Sequence, residues 1–236
     1  PTEHIDNSDK LSKQSMIQFA MQACVARSVP RSEMLKNQKA KDAMQTEWSR
    51  LRSAKWSSKD NDIMDMTGAW DEANVMEYDD AVKEANWLGQ TWHFGRLLEL
   101  CVEKGSELPK GDKNRKWKGR VVFQGDQVRT QNYEVAIFSD MASQPATLEA
   151  SAAADFYGLL EGNDTEVADA VQAYIQARLR GDNKTYVHIP YHQWPDAWKK
   201  ANNGRGMRKP VCELKLALYG HPQSGAFWEE HAESRL

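Results

Sequence analysis

A single carboxylate, Asp169, interrupts the otherwise apolar and uncharged run VADAVQAYIQA at residues 167–177, with an aromatic, Tyr174, five positions further on. Buried in such company, an unpaired charge costs several kcal/mol, on the order given by ion desolvation. Hard divalent cations seek carboxylate oxygens, so a bound metal is one way to neutralise it. A solvent-facing acid at a strand end or helix cap is the other. Two more clusters carry chemistry. KGRVVFQG at 118–125 places Lys118 and Arg120 on a strand-like run, where ordinary edge-strand charges are one reading. Lys116 and Trp117 stand beside them. LYGHPQSGAFW at 218–228 sets Gln223 in a turn-prone stretch between Pro222 and Gly225. His188 and His192 are four apart, which invites a metal reading, but HIPYH has a proline between them and no cysteine or carboxylate partner at ligand spacing. A structural or surface role is the reading adopted.

These residues sit in a chain of 236 residues with net charge −3, 40% hydrophobic and 28% charged, enough for one large or two small domains. The composition is that of a globular protein rather than a disordered one. Mean hydropathy is −0.75 and no apolar run approaches the roughly 18 residues of a membrane span. No membrane partner is therefore expected. MIQFAMQACVA at 16–26 is broken by glutamines and reads as an amphipathic helix rather than a targeting segment. Cys24, Cys101 and Cys212 lie far apart, which fits neither a disulfide framework nor a zinc ribbon and suits a reducing, intracellular compartment, cytoplasmic or nuclear. Pro1 in place of methionine reads as a piece of something longer.

Charge is unevenly spread. Residues 60–84 hold nine acids against Lys83; residues 104–120 hold seven bases against Glu107 and Asp112; and WKKANNGRGMRK at 198–209 holds five bases and no acid. Two basic patches on a mildly acidic chain suit local anion contact, and equally suit solvated loops.

The elements that must position these groups follow from pattern. AKDAMQTEWSRLRSAKW predicts a helix with Ala43, Met44, Trp48 and Leu51 near one face, within a helical stretch over 9–58. Residues 58–84 read as an acidic loop, with a short helix in AVKEANW. FGRLLELCVEK and KGRVVFQG read as a hairpin joined by a long basic loop. PATLEASAAADFYGLLEG predicts a helix starting near Pro145 and stopping at Gly162, with Leu148, Ala152, Phe156 and Leu159 on one face. VADAVQAYIQA fits strand or short helix, KTYVHIP a strand, and VCELKLALYG either a strand entering a turn or a helix closed by Gly220. Mixed elements without regular alternation indicate the α+β class. The segments expected are a helical 1–57, an acidic linker 58–84, a hairpin 85–135 and a final body 136–236.

In their order, KGRVVFQG, DAVQAYIQA and VCELKLALYGHPQSGAFW resemble the reverse transcriptases of copia-type retrotransposons. That family runs from a K-x-R-L-V finger strand to D-V-x-x-A-F/Y and then to V-C-x-L-x-x-x-L-Y-G-x-x-Q. The last segment is the most specific. Upstream, DAMQTEW resembles the family's opening helix and YEVAIFSDMAS its Y-x-E-T-F-S-P-V segment, with Asp140 in place of the usual proline. The likeness covers residues 41–236 apart from the acidic stretch.

The resemblance implies the incomplete fingers and palm of a right-hand polymerase, part of a Pol polyprotein, that in its intact form copies an RNA or DNA template-primer with deoxynucleotides. Nucleotide addition is an in-line displacement at phosphorus, and two Mg2+ ions about 4 Å apart stabilise the entering and leaving oxygens. Asp169 is then the first metal ligand. Lys118 and Arg120 would hold the triphosphate, and Tyr174 would lie under the sugar, excluding a 2′-hydroxyl. Gln223 would sit beneath the nucleotide; His221 and Pro222 depart from the usual Leu-Lys. The family's Tyr-x-Asp-Asp acids have no counterpart here, since no Asp-Asp pair follows Asp169. The chain alone is therefore expected not to polymerise. The alternative expectation is a non-catalytic nucleic-acid-binding or interaction module derived from such an element.

Overall fold

A helix forms where apolar residues recur on one stripe, and Gln38–Ser53 does so: Ala40, Met44, Trp48 and Leu51 are buried, while the residues between them face water. A computed structural model describes residues 26–57, 64–139, 146–166 and 169–235. Most of the helical stretch expected before residue 31, including nearly all of MIQFAMQACVA, lies outside those residues; Ala26, its last residue, is in a strand. In chain order the described elements are β1 (Ala26–Ser28), α1 (Arg31–Met34), α2 (Gln38–Ser53), β2 (Lys55–Trp56), β3 (Met66–Thr67), β4 (Met76–Glu77), α3 (Tyr78–Leu88), β5 (His93–Lys104), β6 (Lys116–Phe123), β7 (Arg129–Thr130), α4 (Leu148–Gly158), α5 (Ala173–Gln176), β8 (Thr185–His188), α6 (Asp196–Lys200), β9 (Pro210–Glu213) and α7 (Ser224–Glu233). This is an α+β fold. None of the described helices is long and apolar enough to cross a membrane.

The chain divides into two compact units, one of Pro1–Ser49 with Glu99–Val121, the other of Arg50–Leu98 with Val122–Leu236. This division cuts across the four segments expected from sequence, because both long strands of the hairpin change unit along their length.

In the first unit β1 pairs antiparallel with the second half of β5, Arg27 opposite Glu103, and β6 pairs with β5 as the hairpin reading requires. Strand alternation sends Gly119 and Val121 inward and leaves Lys118 and Arg120 on the other face. Gly119 is required by close approach: a β-carbon there would lie 2.7 Å from the Ala43 carbonyl oxygen and 2.8 Å from Met44 Cα. The indole of Trp48, fully buried, donates to Glu99 Oε1 at 2.7 Å.

In the second unit the strand order is β7–β5–β8–β9–β4. The β5–β8 pair is parallel and the others are antiparallel. Helix α3 covers one face, packing Tyr78, Ala81 and Ala85 onto Trp92, Phe94, Tyr186 and Val211. Its first turn carries Asp79 and Asp80, so part of the stretch expected as acidic loop is a helix start, where negative charge meets the positive end of the helix dipole.

The helix expected over 145–162 departs from its pattern. Helix α4 forms, with the Thr147 hydroxyl accepting from the Ala150 amide at its start, but it ends at Gly158 rather than Gly162 and buries none of its residues. Leu148 is 87% exposed and Leu159 84%. Periodicity marks residues suited to burial; it does not supply the surface to bury them against. Pro145 lies outside the described residues.

Gly119→Val is expected to destabilise the protein by about 1–3 kcal/mol, the usual range for overpacking a filled core. Urea unfolding followed by tryptophan fluorescence measures it, and an unchanged midpoint would contradict the packing of α2 on β6.

Candidate functional site

The loop joining β5 to β6 is tied at its base by charge. Glu103, only 3% exposed, accepts from Arg115 Nε at 2.6 Å and from Arg27 Nη2 at 2.8 Å. Arg27 in turn holds Glu33 at 2.6 Å. Arg115 foremost, and then Arg27, hold the Glu103 carboxyl below the usual carboxylate range. Lys118 and Arg120 lie beyond this clamp on β6, both half-buried.

In the second unit the ends of the three sequence clusters meet. The amide of Phe123, last residue of β6, donates to the Tyr219 carbonyl at 2.7 Å. Gly220 follows with φ 87°, and a β-carbon on it would collide with the Phe123 carbonyl. Gly125 meets the Gly220 carbonyl just as closely. The glycine of the Leu-Tyr-Gly element is thus demanded by backbone passing over backbone. Residues 177–179 run beside 215–217, with Ala217 N donating to Ala177 O and Leu179 N to Lys215 O, both at 2.9 Å. This brings Tyr174 edge-on to Tyr219, their ring centroids 4.5 Å apart. Gln223 is buried, its Nε2 donating to the Ser139 carbonyl at 2.9 Å and its amide to His221 Nδ1 at 3.2 Å.

Asp169 is placed differently from the expectation. It is exposed, in irregular chain ahead of α5 rather than at the end of a strand, and Val171 beside it is also exposed. No desolvation cost therefore attaches to it. Helix formation starts only after Gln172, which takes a left-handed φ of 58°. Val167 and Ala168 lie outside the described residues. Among the described residues no group of three His, Cys, Asp or Glu side chains is assembled to hold a metal. A lone exposed carboxylate supplies one ligand of a six-coordinate Mg2+ shell, so the residues in place do not by themselves make a two-metal centre.

Sequence reasoning passed over Tyr219 and Phe123 as individual residues, although both lie in the quoted segments. Their roles depend on a backbone pairing between stretches almost a hundred residues apart, which no local pattern signals. His188 and His192 form no metal site among the described residues, and the His188 ring lies tilted 5.7 Å from the Tyr78 ring. Burial, joined by the charges of Lys209 and Arg96, pushes its imidazole down to about 4. Burial likewise pushes His221 down to about 3, with His93 adding to the effect, and depresses His93 itself.

No family model matches the chain, and the comparisons with curated proteins and with solved structures found no match either.

Two outcomes follow. Gly220→Ala combines a positive φ with a backbone collision and is expected to cost about 2 kcal/mol or more. Gly111→Ala, with φ 97° but nothing within 4 Å of the new β-carbon, is expected to cost about half that in the same urea titration. Equal losses would deny the contact with Phe123. For pH, the folded imidazoles are neutral while unfolded ones protonate near 6.5. The unfolded chain therefore takes up more protons below that value. Stability is full above about pH 6.5 and is lost as pH falls toward 4, by about 2 kcal/mol at pH 5 for each of His188 and His221. His221→Asn, which keeps an acceptor for the Gln223 amide, should flatten the fall in urea midpoint between pH 7 and 5. A slope equal to the wild type's would count against the neutral, buried state of His221.

Proposed function

We propose that this chain is a fingers-and-palm portion of a copia-type reverse transcriptase, whose intact form carries out template-directed DNA synthesis. The observation that carries the reading is the convergence of the three sequence clusters: Phe123 on Tyr219, Gly220 fitted against Phe123, and Tyr174 against Tyr219. These segments resemble the family one by one and in order, and their ends pack together in a single unit. In this reading Tyr174 lies under the deoxyribose and Gln223, held by Ser139, lies beneath the nucleotide. The resemblance assigns Lys118 and Arg120, which belong to the first unit, to the triphosphate. Asp169 would offer one carboxylate to magnesium.

Magnesium, when bound, would supply charge neutralisation at the entering and leaving oxygens. What the chain's own residues offer is positioning: a phenol ring wedged by a second tyrosine resists displacement, and a 2′-hydroxyl pressed against it has no partner. The basic stretches 104–120 and 198–209 also suit a non-catalytic module that binds nucleic acid through its backbone.

Primer extension on an RNA template with this chain alone and Mg2+ is expected to give no deoxynucleotide incorporation. A photoactivatable deoxynucleoside triphosphate is expected to label the peptide containing Tyr174 and to be displaced by deoxy- better than by ribonucleotides. Tyr174→Ala should erase that preference. Absence of labelling near Tyr174, or labelling indifferent to the sugar, sinks the nucleotide-site reading. Steeply salt-dependent strand binding without triphosphate labelling points to the non-catalytic module instead.

A further inference from the structure

On the sheet of the second unit, register gathers positive charge onto one face. Arg96 of β5 is opposite His188 of β8, and Phe94 is opposite both Tyr186 of β8 and Arg129 of β7. Because side chains two apart on a strand share a face, Phe94, Arg96 and His188 stand on the same side, together with Arg129. Lys209, just ahead of β9, brings its ammonium to 3.5 Å from the centre of the Tyr78 ring, a cation–π contact that fixes where the charge sits. Tyr78 in turn packs edge-on to Phe94 at 4.9 Å and lies 6.3 Å from Tyr133.

These groups enclose a hollow of about 260 Å3, and among the described residues no carboxylate lines it. The acids nearby are engaged elsewhere. Glu77 accepts from the backbone amides of Arg208 and Lys209, each at 2.8 Å, and Asp79 lies 3.8 Å from Arg208 Nη2. The charges of Lys209 and Arg96 reach far enough into the hollow to help keep His188 neutral. Three cations around an aromatic floor, with no carboxylate in the lining among the described residues, favour an anion. The volume falls just below the roughly 300 Å3 at which sites begin to hold whole small molecules, so it suits one group of a larger ligand. At its mouth Tyr133 is 69% exposed, a free face for a planar ring.

We propose that this hollow is a phosphate-binding site, in which Arg96, Arg129 and Lys209 hold one phosphate group of a ligand and Tyr133 stacks on a ring attached to it. Arginine offers the bidentate fork that matches two phosphate oxygens. The site shares no residue with the nucleotide-site reading and stands or falls apart from it. A free nucleotide and a single strand present the same chemistry here, and the test separates them.

The whole chain is titrated with inorganic phosphate, thymidine monophosphate and a single-stranded oligothymidylate, and binding is followed by the His188 ring resonances in NMR. An anion beside His188 should raise the pH at which its ring titrates, a change that mere structural roles for the three cations would not produce. Arg96→Gln, Arg129→Gln and Lys209→Gln are each expected to weaken binding at least fivefold, with the far-ultraviolet spectrum unchanged. Lys199→Gln with Lys200→Gln removes charge outside the hollow and should change it less than twofold. Competition by the mononucleotide identifies a free nucleotide as the ligand; binding by the oligomer alone identifies a strand, and its salt slope should fall by about one per cation removed. If no probe binds, if the His188 titration does not move, or if the control pair weakens binding as much as the three variants, the proposal is overturned.

Discussion

The pairing of Phe123 with Tyr219, and the bare glycine that follows it, is the constraint on which the second unit depends. Backbone can approach backbone this closely only where no β-carbon intervenes, and Gly220 and Gly125 supply that absence on both sides of the crossing. The consequence reaches outward. With the Leu-Tyr-Gly segment fixed against the end of β6, residues 215–217 are free to bond 177–179, and Tyr219 is turned toward Tyr174. The same segment then enters a buried corner, where Ser224 Oγ donates to the Leu218 carbonyl at 2.7 Å and Gln223 reaches Ser139. Only the Ser224 contact is local in sequence; the others join segments brought together in the same unit as the crossing.

The first unit is organised differently, around charge. Glu103 is buried beside two guanidinium groups, and a carboxylate so placed is tolerable only while both are present. The loop of residues 105–115 leaves and re-enters the strands at this clamp, where Arg115 also donates to the Leu108 carbonyl at 2.9 Å. The basic composition of the loop thus has two parts: Arg115 is committed to structure, and the remaining lysines carry the exposed positive charge.

Electrostatics in the second unit follows a different logic again. Burial depresses the imidazoles of His93 and His221, and both lie against Phe138, with centroids 4.7 and 5.2 Å away. The surface above β5, β7 and β8, by contrast, concentrates arginine and lysine over aromatic rings. The polar character of this unit is therefore sorted by depth, with neutral imidazoles inside and permanent cations outside.

The sequence by itself determined the elements whose burial pattern is strong and local. Helix α2, strands β5, β6 and β8, and the α+β class follow from apolar spacing, because a stripe or alternation needs only its own residues to be recognised; VCELKLALYG left strand and helix open, and β9 decides for the strand. Sequence alone also fixed the identity of the three clusters. What only the tertiary structure decided is where those stretches end up. Asp169, set among apolar neighbours in the sequence, lies in open solvent because its run does not become a buried strand. Leu148, Phe156 and Leu159, patterned for a core, face water because none of the described residues covers α4. Arg96, Arg129 and Lys209 come from three separate stretches and share a hollow only through strand register. Burial and convergence are properties of pairs of distant segments, and a pattern read along one segment holds no information about the surface that will meet it.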